Sequence, residues 1–290
     1  MNRQQTGGFT RRNFLRWMAG LTFFPTLSGL IPRAAAGPLT SLVAGRNVSI
    51  AECFKGEELV YEIGFWVFKR AAIGRMSFKG PGEKGRYVGV LETETMGILG
   101  FVSRYRVDIY RSVMEEVEGG SCLRSLSFDE EVKIGDRFRK NMHQFDYQRR
   151  KWIKWKQAKD GSLQKTEEEI PPGKVYDDFL TAFYNFRFGV YGTIERGKRY
   201  VIPTFPRKGS SSYEVIVASR GEEERQRRSE KRKDQKDFFI RLSMDPEITH
   251  SKKGDIEGWL SKDLFPVEGT LKDALLFGDV KGTLIKHSRT

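Results

Sequence analysis

The stretch Val175-Tyr-Asp-Asp-Phe-Leu-Thr-Ala-Phe-Tyr-Asn-Phe-Arg187 is the strongest helix signal in a chain whose other regions have the pattern of β-strands. Asp177 can accept hydrogen bonds from the free amides of the first turn, and Asp178 adds negative charge at the positive end of the helix dipole. Gly189 is suited to end the helix. Apolar residues recur at helical spacing: Phe179, Leu180, Phe183 and Tyr184. A helix this apolar must be covered, so we expect the rest of the chain to wrap around it.

On both sides of this helix, short stretches alternate between apolar and polar residues. In the first of them, Leu59, Tyr61, Ile63 and Phe65 occupy every second position. This is the period of a β-strand with one apolar face. Similar stretches follow at short intervals along the chain, and the sequence contains no internal repeat.

Turn signals separate these stretches. The strongest is Asp160-Gly161, a pair that favours a tight hairpin between two strands. Short strands joined by regular turns predict an antiparallel sheet that closes into a barrel or a sandwich. With one aromatic helix available for the interior, we predict a mainly β fold. The expected architecture is an antiparallel curved sheet or half-open barrel wrapped around that central aromatic helix.

A charged segment interrupts the second half of the chain at about 220–236. Thirteen of its 17 residues are charged, eight of them basic and five acidic. Because these charges partly cancel, we predict a long solvated loop or frayed helix between two strands. An arm that binds polyanions is the alternative.

The first 36 residues have the layout of an export signal. Arg11 and Arg12 precede an apolar run that ends in a row of alanines, of which Ala36 is the last. Paired arginines are typical of the twin-arginine signal, which carries folded proteins across the bacterial inner membrane. We therefore expect cleavage near Ala36 and a periplasmic mature protein. An uncleaved amphipathic anchor is the alternative.

We divide the chain into a signal peptide (1–36), a linker (37–51) and a single β domain (52–290). The net charge of the full chain is +13, and the signal holds five arginines and no acidic residue, so the mature net charge is +8. A charge of this size favours an anionic surface of the envelope. Outside the cytoplasm, nucleic acid is not an expected partner.

The predicted mature chain has two cysteines, Cys53 and Cys122. In an oxidising compartment an isolated pair favours a disulfide over a metal site. Closing a loop of this length would stabilise the fold by about 4 kcal/mol. Two separate reduced thiols are the alternative. The three histidines are scattered, so we expect neither a metal site nor a cofactor.

No arrangement of residues indicates a catalytic centre. Asp177 and Asp178 are adjacent, but neighbouring helix positions face apart, and helix capping accounts for both. His143 and Asp146 would lie on opposite faces of a strand. Arg187 is a charge at the end of an aromatic helix. We expect it to pair with Asp177, Asp178 or a strand carboxylate, or else to clamp a ligand. The protein is predicted not to be an enzyme, with a hydrolase as the residual alternative.

One predicted strand combines cations with tryptophans. Its residues are Arg149, Arg150, Lys151, Trp152, Lys154, Trp155 and Lys156. Tryptophan at the interface and cations on head groups would suit docking to an anionic membrane. The alternative is an exposed edge strand, which lysines protect against aggregation.

Short motifs follow one another along the mature chain in a particular order. They are Gly56-Glu57 with Leu59, Tyr61, Trp66 and Gly74; Phe145-Asp146-Tyr147; Ile170-Pro171 with Asp177, Leu180, Ala182, Tyr184 and Arg187; and Trp259, Asp263, Pro266 and Gly278. In this order they resemble the bacterial family known as domain of unknown function 3108, from about residue 52 to 286. The charged segment and the twin-arginine signal depart from the family's pattern.

The resemblance implies an envelope protein with mostly antiparallel β architecture and no established reaction. Its outline is similar to that of curved-sheet lipoprotein carriers of the periplasm. A helix on a half-open sheet leaves a gap along its flank, where ligands bind between apolar walls. The expected lining is Tyr61, Ile63, Phe65, Trp66, Phe179, Leu180, Phe183 and Tyr184. We predict a non-enzymatic protein that binds a lipid or acyl chain in this groove. The alternative is a structural or protein-interaction module of the cell envelope with a packed core and no ligand.

Overall fold

The structure is a computed structural model that describes residues 48–290 apart from 66–67, 159, 208–209, 234–236, 250 and 275–277. The predicted signal peptide and residues 37–47 of the predicted linker lie outside the described residues. The described part opens with a short helix, α1 (Ile50–Phe54), which Ser49 caps. Ile50 and Phe54 are buried. The folded domain therefore begins slightly before residue 52, inside the predicted linker.

Fourteen strands of the described chain form one antiparallel sheet. They are β1 Glu57–Phe65, β2 Phe68–Lys79, β3 Arg86–Thr95, β4 Val107–Val117, β5 Cys122–Ile134, β6 Arg137–Asp146, β7 Lys151–Gln157, β8 Leu163–Glu169, β9 Arg199–Arg207, β10 Ser210–Val217, β11 Phe238–Ser243, β12 Asp255–Leu260, β13 Pro266–Ala274 and β14 Gly278–Arg289. Their order across the sheet is β8-β7-β6-β5-β4-β3-β2-β1-β14-β13-β12-β11-β10-β9. The first and last strands of the domain therefore pair with each other in the middle of the sheet.

The helices of the described residues are short. Besides α1 they are α2 (Gly97–Val102), α3 (Phe179–Phe188), α4 (Arg220–Glu230) and α5 (Pro246–Thr249), with 3₁₀ turns at Glu83–Gly85 and Glu118–Gly120. Within the described part of the chain, none of them has the length and apolar character that a membrane crossing requires.

The two edges of the sheet, β8 and β9, are consecutive in the chain, and α3 lies in the segment that joins them. No ladder of hydrogen bonds pairs these two edges within the described residues. All seven residues of β8 are exposed, and three of them are glutamates, which discourage edge-to-edge pairing. The predicted mainly β fold, a half-open curved sheet around one helix, is confirmed.

Aromatic side chains connect the two halves of the sheet where the backbone does not. The ring of Phe205 on β9 lies 4.7 Å from that of His143 on β6, 5.3 Å from Trp152 on β7 and 5.5 Å from Phe145 on β6. The amide of Asp177 also donates to the carbonyl of Pro203 on β9 at 3.2 Å. The sheet is therefore curved into a barrel-like shape whose seam is closed by side chains.

Helix α3 begins and ends close to the predicted residues, but its cap is Asp178 rather than Asp177. The Asp178 carboxylate accepts from the amides of Leu180 at 2.8 Å and Thr181 at 3.1 Å. At the other end Gly189 adopts φ 90°, a left-handed conformation that glycine allows without strain.

The core surrounds α3 on the concave face of the sheet. Leu180 packs with aromatic residues near the seam, Ala182 and Phe186 pack against β9–β12, and Tyr184 and Phe188 pack against α1 and β2–β5. A helix whose residues are buried around its whole circumference must be covered on every side. The sheet provides this cover by curving around it.

The charged segment expected to be a loop or frayed helix contains an eleven-residue helix, α4. A capping box starts it, because Ser219 and Glu222 satisfy each other's backbone amides. It packs on the convex face of the sheet, where the guanidinium of Arg227 lies 4.4 Å from the ring centre of Trp259. The indole nitrogen of Trp259 donates to Glu230 at 2.8 Å. The motif Ser-x-x-Glu at 219–222 was the sequence signal for this helix.

Candidate functional site

A buried ion pair fixes the C-terminal end of α3. Arg187 donates from Nη1 and Nη2 to the two oxygens of Glu57 on β1 at 2.6 and 2.9 Å, and from Nε to the carbonyl of Leu264 at 2.9 Å. Burial alone would raise the pKa of Glu57, but the hydrogen bonds and charge of Arg187 hold it below its ordinary value. The partner of Arg187 is thus a strand carboxylate, and Asp177 and Asp178 make other contacts.

Asp178 fixes the N-terminal end of the helix to the sheet. Its Oδ2 accepts hydrogen bonds from Ser112 on β4 and Ser125 on β5, both at 2.6 Å, and from the Thr181 hydroxyl at 2.8 Å. Asp178 is fully buried. This carboxylate therefore has two structural roles: it caps α3, and it joins the helix to β4 and β5.

Asp177 lies in a separate buried polar group. Its Oδ2 accepts from the hydroxyl of Tyr191 and from Nδ2 of Asn185, the latter at 3.1 Å. Burial raises the pKa of Asp177 to about 7, although these two hydrogen bonds oppose the shift. Asn185 also exchanges hydrogen bonds with the backbone of Leu123 at 2.8 and 2.9 Å. These contacts join α3 to the start of β5.

Away from α3, glycines occupy adjacent positions on three neighbouring strands. Gly258 on β12 is paired with Gly269 on β13, which is paired with Gly282 on β14, which is paired with Ile63 on β1. Residues directly opposite each other across an antiparallel ladder project to the same face. Ile63 is an even number of residues from Glu57, which contacts α3, so this face is the concave one. We call Gly258, Gly269 and Gly282 the glycine strip.

At two members of the glycine strip a side chain would meet only the backbone of the neighbouring strand, at van der Waals distance. A Cβ atom at Gly282 would have the carbonyl oxygen of Gly269 as its nearest neighbour, at 4.0 Å. At Gly269 the nearest atom would be the carbonyl oxygen of Glu257, at 3.9 Å. Gly258 differs, because a Cβ there would lie 2.5 Å from the carbonyl oxygen of Glu268. The strip therefore contains bare backbone that side chains of the described residues leave uncovered.

Half-buried apolar residues border the glycine strip on the concave face. They are Ile63, Phe65, Ile240, Leu242, Ile256, Leu271, Val280 and Leu284. These side chains keep contact with solvent, although Ile240 and Leu242 also pack against the core cluster of β9–β12. Glycine inside a strand is typical of a place where a ligand or another backbone approaches closely.

A polar group lies on the same face beyond the strip. The row through Ile63 continues across β2 to Thr95 on β3, whose amide donates to the carbonyl of Arg106 at 3.0 Å. Arg106 Nε donates to both oxygens of Asp108 at 3.0 Å. Burial, with smaller contributions from Asp108 and Glu130, raises the pKa of the neighbouring Tyr110 above its ordinary value. Apolar walls with a few polar groups to one side are typical of ligand sites.

The structure divides the predicted groove residues into two sets. On the helix, Leu180 and Tyr184 are fully buried in the core, and Phe179 and Phe183 are partly buried against it. On β1, Ile63 and Phe65 border the glycine strip, and the Tyr61 hydroxyl donates to the carbonyl of Pro266 at 2.9 Å. Trp66 lies outside the described residues. The glycine strip lies on β12–β14, and the groove along the flank of α3 stays a prediction.

The chain matches the family described as "Protein of unknown function (DUF3108)" over residues 60–284. This protein belongs to the DUF3108 family. The resemblance drawn from its motifs is confirmed. The fold is also similar to the crystal structure of a "Beta-barrel-like Protein of Domain of Unknown Function DUF1849" from Brucella abortus, with a TM-score of 0.40 and 11% sequence identity, covering 81% of this chain and 97% of that one. No curated protein matches the sequence.

In this DUF3108 protein the basic strand, β7, is not an edge strand, because β8 pairs with it. Trp152 is only 2% exposed, and its indole nitrogen donates to Nδ1 of His143 at 3.2 Å. Trp152 is therefore a core residue and cannot reach a membrane, contrary to the expectation that it docks to an anionic membrane. Arg150 pairs with Glu169 of β8. Trp155 is half-buried and lines a cavity of about 600 Å³ on the convex face.

The expected disulfide is not formed in the structure, since neither Cys53 nor Cys122 is bridged. Cys53 belongs to α1, and Cys122 opens β5. The thiol of Cys122 donates to the carbonyl of Leu123 at 3.3 Å, and burial raises its pKa to about 12. Cys122 is therefore a poor nucleophile in this environment.

Sequence reasoning allowed a strand carboxylate as the partner of Arg187 without identifying Glu57, and it missed the glycine strip. Glu57 is 130 residues from Arg187, and no local pattern joins them. The glycine strip had a weak signal, because single glycines within strand patterns mark bulges or close approaches. His143, considered above together with Asp146, stacks within the core. Among the described residues, no group of three or more histidines, cysteines or acids is placed to hold a metal ion.

Proposed function

We propose that this DUF3108 protein is a non-enzymatic binding protein of the cell envelope that holds an elongated apolar ligand, such as an acyl chain, against the glycine strip. The observation that carries the proposal is the bare backbone at Gly269 and Gly282, bordered by half-buried apolar side chains. The row from Gly258 to Ile63 crosses four strands and so spans about 14 Å.

The binding energy would come mainly from methylene groups removed from water, at about 0.8 kcal/mol each. Backbone at the glycines would allow a chain to lie close to the sheet. The group around Arg106 and Asp108 offers hydrogen bonds to a polar head, although their charges already compensate each other. Affinity would therefore depend more on chain length than on head group.

Gly282→Val tests this proposal, because it fills the strip without straining the backbone. The Cβ atom of the new side chain would meet nothing closer than 4.0 Å, so the variant should fold. The matched control is Thr283→Val, the same residue placed one position later on the convex face, where Thr283 is exposed. The measurement is native mass spectrometry and calorimetry of the mature chain with palmitate.

We expect Gly282→Val to weaken palmitate binding about tenfold or more, a loss of about 1.4 kcal/mol, and Thr283→Val to leave it unchanged. Equal affinity in the two variants, or no binding by the unmodified chain, would overturn the proposal. Those results would favour the second candidate function.

The second candidate is a structural or protein-interaction module of the envelope. It is favoured by the packing of α3, whose Leu180 and Tyr184 are fully buried, as in a domain that needs no ligand. In that case the glycine strip would serve only to let strands curve.

The location in the periplasm is part of the proposal and rests on Arg11, Arg12 and the alanine exit near Ala36. Replacing both arginines with lysine should keep the protein in the cytoplasm, as fractionation followed by immunoblotting would show. Unchanged export would remove the twin-arginine route while leaving a general secretory signal in place.

A further inference from the structure

A second candidate site lies beside α4 on the convex face, opposite to the face that carries the glycine strip. It is a cavity of about 840 Å³ between the helix and the loop before β9. Its lining residues are mostly cations: Arg196, Arg220, Glu223, Glu224, Arg227, Arg228, Lys231, Arg232 and Lys233. With seven positive and two negative side chains, the wall of this cavity carries an excess of five positive charges.

Protein carboxylates neutralise only part of this charge. Arg196 pairs with Glu223 at 2.8 Å, and Arg232 pairs with Asp237 at 2.6 Å. Four further cations have no carboxylate within ion-pair distance among the described residues: Arg220, Arg228, Lys231 and Lys233. All four are exposed at the rim of the cavity. A multivalent anion could therefore replace the missing counter-charges.

A buried arginine at this cavity has an unused donor. Arg227 is 8% exposed and is held by a hydrogen bond from Nη2 to the carbonyl of Asp237 at 2.5 Å and by the face of Trp259. Its Nη1 is shielded from solvent and has no acceptor in the described part of the chain. Nε of Arg232 is likewise shielded from solvent and has no acceptor in that part of the chain. Buried donors are normally satisfied, and a donor that is not calls for an explanation such as a bound water or ion.

Helix electrostatics does not account for the whole cluster. Cations in the last turn of a helix, such as Arg227 and Arg228, interact favourably with its dipole. Arg220, however, is the first residue of α4, where the dipole disfavours positive charge. Arg196 comes from a different segment, the loop between α3 and β9. Cations from both ends of α4 and from a neighbouring loop therefore converge on one space.

The acids of the wall narrow the class of ligand. Glu223 is buried, and its carboxylate accepts from Nε of Arg196 at 2.8 Å and interacts with the backbone of Phe239, while its Oε1 has no side-chain donor among the described residues. A ligand that satisfies the whole wall needs acceptor oxygens for the guanidinium groups and at least one hydroxyl for Glu223. Phosphate groups match arginine donors in geometry and charge. We propose that the α4 cavity is a binding site for a phosphorylated polyol, present either as a free sugar phosphate or as a phosphorylated lipid head group.

The test uses the mature chain in two assays. Calorimetry measures the binding of fructose 1,6-bisphosphate and of inorganic pyrophosphate. Sedimentation measures binding to phosphatidylcholine vesicles, with and without phosphatidylglycerol. The first variant is Arg228→Ala/Lys231→Ala/Lys233→Ala, which removes exposed side chains that form no ion pair with a described residue. The charge-matched control is Arg149→Ala/Lys151→Ala/Lys156→Ala, which removes three exposed cations near β7. A further variant, Arg227→Gln, removes the buried guanidinium.

We expect the unmodified chain to bind fructose 1,6-bisphosphate with one-to-one stoichiometry. The α4 triple variant should weaken binding about tenfold or more, as should Arg227→Gln, and the β7 control should change it little. Binding to phosphatidylglycerol vesicles alone, lost in the α4 variant but kept in the control, would support the site and assign it to a lipid head group. Equal weakening in both triple variants, or no binding of any probe, would overturn the proposal.

Discussion

The concave face of the sheet is filled on one side and bare on the other. Beneath α3 it carries large aromatic residues and three buried carboxylates, Glu57, Asp177 and Asp178, each with hydrogen-bond partners. Around the glycine strip the described residues of this face are glycines and half-buried apolar residues. The first region has what a stable core needs. The second has only glycine backbone and half-buried side chains among the described residues, which is the basis of the proposed ligand site.

The largest expected effect comes from breaking the ion pair that anchors α3. Glu57→Ala leaves the buried Arg187 without its partner, and removing one member of such a pair costs about 3–5 kcal/mol. The measurement is the free energy of unfolding in urea. The control is Glu58→Ala, since Glu58 pairs with Lys286 in the open, where such a pair is worth about 1 kcal/mol or less. An equal loss of stability in the two variants would show that water solvates Arg187 when Glu57 is absent.

The second prediction concerns the pH dependence of the filled region. The pKa of Asp177 is raised from 3.8 to about 7 by burial, so the folded state binds a proton that the unfolded state releases near pH 4. Stability from this group is complete below about pH 4 and is lost as the pH rises to about 7, by up to about 4 kcal/mol. Asp177→Asn should remove that loss.

The check for Asp177 is urea unfolding at both ends of this pH range, for the unmodified chain and for Asp177→Asn. Asp263→Asn serves as the control because Asp263 is exposed. If the stability of Asp177→Asn fell with pH as steeply as that of the unmodified chain, another buried group would be responsible.

The third prediction compares the two regions directly. Leu180→Ala removes a fully buried side chain beneath α3 and should cost about 2–5 kcal/mol, because it leaves a cavity. Ile63→Ala shortens a half-buried side chain beside the glycine strip and should cost about 1 kcal/mol, since water already reaches it. Thermal and urea unfolding would measure both. Equal costs would mean that the strip is packed like the core.

The smallest expected effect is that of Gly282→Val on stability. Valine favours strands and removes the backbone entropy of glycine, so the variant should be as stable as the unmodified chain or more stable by about 0.5–1 kcal/mol. Gly258→Val is the contrasting variant, because its Cβ would lie 2.5 Å from the carbonyl oxygen of Glu268. It should destabilise the fold. A clear loss of stability in Gly282→Val would show that the strip is closed.

Local patterns accounted for much of the fold. The alternation from Leu59 to Phe65 predicted β1, and the apolar spacing after Asp178 predicted α3 with its end at Gly189. These features depend on residues within a few positions of one another. The capping box at Ser219 is a local signal of the same kind for α4. The high charge of that segment led instead to the prediction of a loop or frayed helix.

The candidate site could not be predicted in this way, because it depends on register. Gly258, Gly269 and Gly282 come together only through the pairing of β12, β13, β14 and β1. That pairing includes shifts near Val60, Trp259 and Leu271, each of which changes which residues face inward. Nothing in the local sequence states where such shifts occur.

The sequence by itself determined the strand periodicity, the central helix and the family of this protein, because each of these is encoded in residue types at short spacing. Only the tertiary structure decided that Trp152 belongs to the core, that Glu57 is the partner of Arg187, and that the basic residues of α4 line one cavity. Those outcomes depend on the curvature of a fourteen-stranded sheet, which brings together side chains that lie far apart in the chain. The burial and the ion pairs of each residue depend on these neighbours, so they cannot be predicted from the residue's own local sequence.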